Sequence, residues 1–210
     1  GKMLTLFNLA VNFLSEVCGA TIVLCSATQP CLEAADHPLH RQPVDLVPQQ
    51  KALWDVFKRT DIQNAGCAKL EELSQIVTEV LSSCDSLLVV CNTKKEAAFL
   101  FESLQTENCR CFHLSAAMCM QHRRETLQAL QDKPSADRQR VVCVSTQVIE
   151  AGVDISFQRV IRFSAGMDSV VQAAGRCNRH AEQKKPAPVR LIRWTDERLR
   201  GLDDIVRGQN

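Results

Sequence analysis

Ser86-Leu87-Leu88-Val89-Val90-Cys91-Asn92-Thr93-Lys94-Lys95-Glu96 changes its pattern partway through, and that change decides the fold class. Ser86 to Cys91 is a short, nearly continuous apolar run, the signature of a strand buried on both faces. Thr93 follows, with Glu96 three residues on. That spacing lets each side chain satisfy a backbone N–H near the other, so it predicts a helix from Thr93 to about Glu107.

Working outward, the same alternation repeats. Arg110 to Leu114 reads as a strand and residues 119–131 as a helix. Lys133 to Asp137 is a polar loop, Arg140 to Val144 a strand, Gln158 to Phe163 another, residues 168–178 a helix and Val189 to Trp194 a last strand. Upstream, Leu70, Leu73, Ile76, Val77, Val80 and Leu81 mark an amphipathic helix. Residues 31–66, with Pro38, Pro43 and Pro48, form a weakly patterned connector whose Trp54 and Phe57 are expected to pack on a core. Ala20 to Cys25 reads as a buried strand. Residues 3–17 read as a helix with Leu6, Leu9, Phe13 and Val17 on one face. Strands alternating with helices imply an α/β fold, a parallel sheet with helices on both faces. Ligands of such sheets bind beyond the carboxyl ends of the strands. Polar clusters fall at those ends: Ser26 and Thr28, Asn92 to Lys94, His113 and Ser115, Ser145 and Thr146, and Ser164.

The composition agrees with a folded domain. The chain has 210 residues, 45% hydrophobic and 23% charged, with a formal net charge of +1. This excludes a disordered tail, a collagen-like repeat and a disulfide miniprotein. No apolar run is long enough to span a membrane, and no secretion signal is present. The opening Gly1-Lys2-Met3 reads as the middle of a helix, so the chain is expected to be a piece of something longer. Charge is unevenly placed. Residues 1–90 hold 6 Lys and Arg against 10 Asp and Glu, while residues 91–210 hold 19 against 14. A basic second part suits a phosphate-bearing partner, although a solvated face explains it equally. The eleven cysteines include no CxxC, and the one close pair is Cys109-x-Cys111. Cys25, Cys91 and Cys143 sit in apolar runs and are expected to behave as small buried hydrophobes in a reducing compartment, with no metal site. Eight Phe, two Trp and no Tyr leave few rings for stacking on bases. Phe99, Phe112 and Phe163 occupy core-like positions, which favours backbone tracking by hydroxyls and arginines.

The most specific stretch is Gln172-Ala173-Ala174-Gly175-Arg176-Cys177-Asn178-Arg179. On a helix, Gln172, Arg176 and Arg179 would share one face. Two guanidinium forks aimed together suit a polyphosphate. A surface helix with two solvated arginines is the alternative, and spacing alone favours it. Gly175 weakens a helix interior, and a ligand approaching the backbone closely would explain it.

This run resembles motif VI of superfamily 2 helicases, and in its QxxGRxNR form that of the CRISPR-associated DExD/H helicases fused to an HD nuclease. Ser26-Ala27-Thr28 resembles motif III, Val89 to Thr93 motif IV, and Val144 to Ile155 motif V. His113 to Ser115 with His122 to Arg124 is similar to the segment between motifs IV and V. The matches span residues 20–194, in order. The resemblance implies a P-loop NTPase-like, RecA-like second helicase domain over residues 51–210. Residues 31–50 would be a connector, and residues 1–30 the remnant of a first RecA-like domain. It implies Arg176 and Arg179 as arginine fingers and Gln172 as a sensor of phosphate or water. Gly152, Asp154 and Gly175 would border the nucleotide, with Asp154 accepting a bond from its ribose. Asn92, Thr93, Lys94, Ser115, Arg123, Ser145 and Thr146 would hold the nucleic-acid backbone, and Ser26 and Thr28 would couple the domains.

The implied reaction is ATP hydrolysis with Mg2+. The P-loop, the DExD/H carboxylates and the HD metal site are absent from these 210 residues, so the chain alone is expected to be inert. Implied partners are single-stranded DNA, the upstream RecA-like and HD nuclease domains, and a CRISPR RNA-guided surveillance complex, in the cytoplasm and with no membrane. Another superfamily 2 DNA or RNA helicase, or a non-catalytic nucleic-acid-binding module, would share many of these features.

Overall fold

A computed structural model describes residues 2–26, 28–47, 50–105, 109–131, 139–149 and 154–194. The chain divides into two compact units, Gly1–Val56 and Phe57–Asn210.

The second unit is built on a six-stranded, wholly parallel sheet. In chain order its strands are β1 (Thr60–Ala68), β2 (Ser86–Val90), β3 (Cys109–Leu114), β4 (Arg140–Ser145), β5 (Arg159–Phe163) and β6 (Ala187–Trp194), arranged β1-β6-β5-β2-β4-β3. Two helices belong to the first unit or its boundary, α1 (Lys2–Glu16) and α2 (Gln50–Phe57). The crossovers that parallel pairing requires are α3 (Leu70–Ser82), α4 (Lys94–Ser103), α5 (Met120–Gln131) and α6 (Met167–Ala174). Successive residues of β2 serve opposite faces. Leu87 and Val89 pack with Leu73 and Val77 of α3 and Leu100 of α4. Leu88 and Val90 join Ala173 and Ala174 of α6, with Leu127 and Leu130 of α5 against them. Helices therefore cover both faces, which is why β2 is apolar at every position from Leu87 to Val90. The capping box expected at the start of α4 is formed. The Thr93 hydroxyl accepts from the Glu96 amide at 3.2 Å, and the Glu96 carboxylate accepts from the Thr93 amide at 3.0 Å.

Several expectations need correction. β1 lies within the stretch read as connector, because Thr60-Asp61-Ile62-Gln63-Asn64-Ala65-Gly66 has no strand pattern. It is an edge strand whose pairing comes wholly from β6, with an irregularity between Asn64 and Cys67 where Gly66 takes φ +80°. Trp54 and Phe57 are exposed rather than packed on a core, and Phe99 is exposed on α4. The last helix ends at Ala174 instead of running to residue 178. The Lys133 to Asp137 loop lies outside the described residues. Of the three cysteines expected to be buried, Cys91 and Cys143 are and Cys25 is exposed.

In the first unit, α1 forms as its periodicity predicts, but the face it buries is not the apolar one. Leu6, Leu9, Phe13 and Val17 are exposed, and the helix's buried residues are Asn8 and Asn12. The Asn8 amide donates to the carbonyls of Leu32 and His37, both at 2.8 Å. Asn12 donates to Pro38 O and accepts from the His40 amide. Ala20 to Cys25 is not a strand. No strand of this unit lies beside it among the described residues, and an apolar run without a pairing partner cannot form a ladder.

Candidate functional site

The candidate residues form two separate sets. The first lies at the carboxyl ends of the central strands. Arg162, near the end of β5, is fully buried and organises it. Its Nη1 donates to Asn92 Oδ1 at 2.6 Å and to the Phe163 carbonyl at 2.9 Å, and its Nη2 donates to Ser169 Oγ at 2.7 Å. The Asn92 amide group in turn donates to Ser164 O at 2.9 Å. Both ends of Asn92 are thus engaged inside the protein. Glu96 accepts from the amides of Asn92 and Thr93, and burial pushes its carboxyl above the usual range, against those amides and the nearby Arg162. Sequence reading passed over Arg162. A lone arginine in an apolar strand run is the signal that would have found it, because an unsatisfied charge there is very costly.

Next to it, Ser145 is buried at the end of β4, with its hydroxyl shared between Leu114 O at 3.0 Å and Thr146 O at 2.8 Å. The Thr146 amide donates to the same Leu114 carbonyl at 3.1 Å, and the Cys91 amide to Ser145 O at 2.8 Å. Ser115 is buried beside them. These bonds tie the three strand ends together. Lys94, in contrast, is exposed at the start of α4. Arg123 on α5 is part-buried, and its Nε has no hydrogen-bond partner.

The second set lies at the other end of the sheet. The main chain at Phe157 bonds both ways with the motif VI-like segment. Its amide donates to Arg176 O, and its carbonyl accepts from the Asn178 amide, each at 2.9 Å. Asn178 takes φ +48°, a conformation asparagine tolerates better than most residues. Its buried side chain donates to Arg59 O and Gln183 O and accepts from the Gln183 amide at 2.9 Å. Because α6 stops at Ala174, Gln172, Arg176 and Arg179 do not share a helical face. Gly175 ends the helix, where an added Cβ would lie 3.3 Å from Gln172 O. Arg176 is buried, and its Nε donates to Ile149 O at 2.9 Å. Arg179 is different. Its Nε donates to Asp154 Oδ1 at 2.7 Å, its Nη1 reaches Gly175 O, and its side chain is 37% exposed. That hydrogen bond holds the Asp154 carboxyl below its ordinary value, with His180 Nε2 3.7 Å away on the same oxygen. Gly152 lies outside the described residues, as does Ala27 between Ser26 and Thr28. In the first unit the Ser26 hydroxyl closes a local turn with the backbone of Thr28.

Among the described residues no group of three or more His, Cys, Asp or Glu could hold a metal ion. No helix there is long and apolar enough to cross a membrane.

Comparison with known proteins shows what these features resemble. Residues 83–182 match the family model of the CRISPR-associated nuclease/helicase Cas3, C-terminal. The CRISPR-associated nuclease/helicase Cas3 of Haloferax volcanii is 52% identical over 72 residues, which are 34% of this chain and 8% of that protein. Among solved structures, T. fusca Cas3 with ATP superposes with a TM-score of 0.54 at 20% identity, over 68% of this chain and 18% of that one. A chain of a CRISPR RNA-guided surveillance complex, pre-nicking, gives 0.50 at 22% identity, over 68% and 19%. This chain therefore spans a small part of the relatives it matches. Over residues 83–182 it is similar to the Cas3-like C-terminal family, and its second unit shares the fold of these CRISPR-associated helicases.

Proposed function

We propose that this chain is the second RecA-like part of an ATP-dependent translocase that moves on single-stranded DNA in CRISPR interference, supplying half of a nucleotide site. In this reading residues 51–210 carry the helicase half, residues 31–50 are a connector, and residues 1–30 are the last pieces of a first RecA-like domain. The P-loop and the Mg2+ carboxylates belong to sequence upstream of residue 1, so the 210 residues alone neither hydrolyse ATP nor cleave DNA.

The observation that carries the reading is the Arg179 guanidinium, partly exposed and oriented by Asp154. A permanently charged planar fork held by one nitrogen and open at another suits a phosphoryl oxygen. The residues present fit a nucleotide. Arg179 would contact the polyphosphate, and Asp154 would hold the guanidinium or accept a ribose hydroxyl. Gln172 would lie nearby on α6. Gly152 and Gly175 would border the nucleotide. Arg176, buried with its Nε on Ile149 O, would hold the turn that follows β4 and lie behind Arg179. At the carboxyl edge, Lys94, Thr93 and Arg123 would meet the DNA backbone. Asn92, Ser115, Ser145 and Thr146 keep the strand ends in place there and offer backbone groups. Ser26 and Thr28 would couple the two RecA-like parts, and a CRISPR RNA-guided surveillance complex would deliver the DNA.

The test is steady-state ATP hydrolysis, with and without single-stranded DNA, by the complete protein containing this chain, beside its Arg179→Ala variant. The expected result is DNA-stimulated turnover that falls by about 10³-fold or more in kcat when the finger is removed. Turnover unchanged by the substitution would overturn the assignment of Arg179, and a complete protein inert with DNA would overturn the motor reading.

A further inference from the structure

Cys109 and Cys111 stand on one face of β3, the edge strand beyond β4, with their sulfurs 3.4 Å apart. Both are part-buried against α4 and lie toward the Leu104 carbonyl that ends that helix. Cys111 Sγ is 3.0 Å from this oxygen and Cys109 Sγ 3.7 Å. All eleven cysteines lie among the described residues, and none is joined in a disulfide. Four of them, Cys84, Cys91, Cys143 and Cys177, are buried. Burial pushes the Cys84 and Cys143 thiols up, and that of Cys177 to about 12, which leaves them poor nucleophiles.

We propose that Cys109 and Cys111 are a reversible thiol-disulfide site whose closure is transmitted along β3 to the strand ends at Leu114. In an extended strand, residues two apart have Cα atoms about 6.6–6.8 Å apart. A disulfide prefers about 5.5–6 Å. Closing the bridge therefore shortens β3 by up to about 1 Å, and an edge strand, bonded only to β4, is where such a pucker is tolerated. A strained bridge of this kind is oxidising and easily reduced, as a regulatory disulfide must be in a reducing compartment. Three residues beyond Cys111, the Leu114 carbonyl receives both the Thr146 amide and the Ser145 hydroxyl. A shift of β3 thus bears directly on those two bonds.

The oxidant is a small-molecule disulfide of the glutathione type. One cysteine thiolate attacks its S–S bond, forming a mixed disulfide and releasing one small thiol. The second thiolate then attacks the protein-bound sulfur, the Cys109–Cys111 bond forms, and the second small thiol leaves. Two electrons pass to the oxidant, and the two protons end on the two small thiols.

The test uses the full chain carrying Cys119→Ser, which removes the third thiol nearby in sequence. It is equilibrated in glutathione buffers from reducing to oxidising, quenched with acid, alkylated and cut with trypsin. In the reduced chain trypsin releases Glu96–Arg110 separately from Cys111–Arg123; when bridged, the two remain joined. The joined species is expected to dominate under oxidising conditions and to disappear on reduction, while the exposed, solitary Cys67 carries only mixed glutathione disulfide. Amide exchange at Thr146 is expected to quicken about tenfold on oxidation. Recovery of Cys109 and Cys111 both alkylated, or each carrying its own glutathione, in the buffer that modifies Cys67 would overturn the site. A bridge that leaves Thr146 exchange unchanged would overturn the transmission along β3.

Discussion

The long helix of the first unit and the central strand of the second bury opposite kinds of side chain. In the second, every residue of β2 from Leu87 to Val90 is fully buried, and the fully buried Arg162 is surrounded by hydrogen-bond acceptors. In the first, α1 turns Asn8 and Asn12 inward to hold the carbonyls of residues 32–38 and leaves Leu6, Phe7, Leu9, Phe13 and Leu14 exposed. The second unit is thus a sheet with a hydrophobic core on each face. The first is a helix and a loop joined by polar contacts, each worth only about 0.5–1.5 kcal/mol net. The apolar face of α1 suits the proposal that residues 1–30 are the end of a larger domain, in which that face would be covered.

The comparison breaks most clearly at Arg162. Arg162→Ala strips Asn92 Oδ1 and the Ser169 hydroxyl of their partner and empties a buried site, so it should cost about 3–5 kcal/mol. The urea midpoint of the second unit, followed by the fluorescence of Trp194, should fall steeply. A change below 1 kcal/mol would mean that the buried guanidinium is dispensable. A matched pair sharpens the contrast. Leu88→Ala should cost about 2–5 kcal/mol, while Leu6→Ala should lie within about 0.5 kcal/mol of the parent. Equal costs would show that the face of α1 is buried after all. In the polar interior of the first unit, Asn8→Ala should cost about 1–3 kcal/mol through two orphaned carbonyls. Amide exchange and proteolysis across residues 32–40 would report it, and unchanged protection there would remove Asn8 from its role.

The smallest effect depends on pH. Burial raises the Glu96 carboxyl, so the folded state binds its proton more tightly than the unfolded chain. Its contribution to stability is therefore greatest with the carboxyl protonated. It falls as pH rises from the ordinary glutamate value through the raised one. Glu96→Gln keeps an acceptor for the amides of Asn92 and Thr93 and should flatten that decline. An identical pH–stability curve would mean that Glu96 titrates normally.

Much of the second unit was legible because its signals are local. Thr93 and Glu96 sit three residues apart, and that spacing alone places the start of α4. The apolar runs of β2, β4 and β5 are strands because both their faces are covered. β1 escaped notice for the reverse reason, since its polar, glycine-containing segment becomes a strand only against β6. The candidate site divides in the same way. The order and identity of its residues could be read from the chain. The burial of Arg176, the inward engagement of Asn92 and Ser145, and the separation of Asp154 and Arg179 from the strand ends could not.

The sequence by itself therefore determined the alternation of strands and helices, the α/β class, the capping of α4 and the family that residues 83–182 resemble. These follow from side-chain periodicity and from contacts within a few residues. Only the tertiary structure decided which asparagines of α1 face inward, which arginine stays exposed, and which two thiols meet across one turn of the pleat. Each of these depends on where distant carbonyls, carboxylates and neighbouring strands come to rest. A buried polar group is bound to whichever partner the folded chain brings within about 3 Å, and no local pattern encodes that partner.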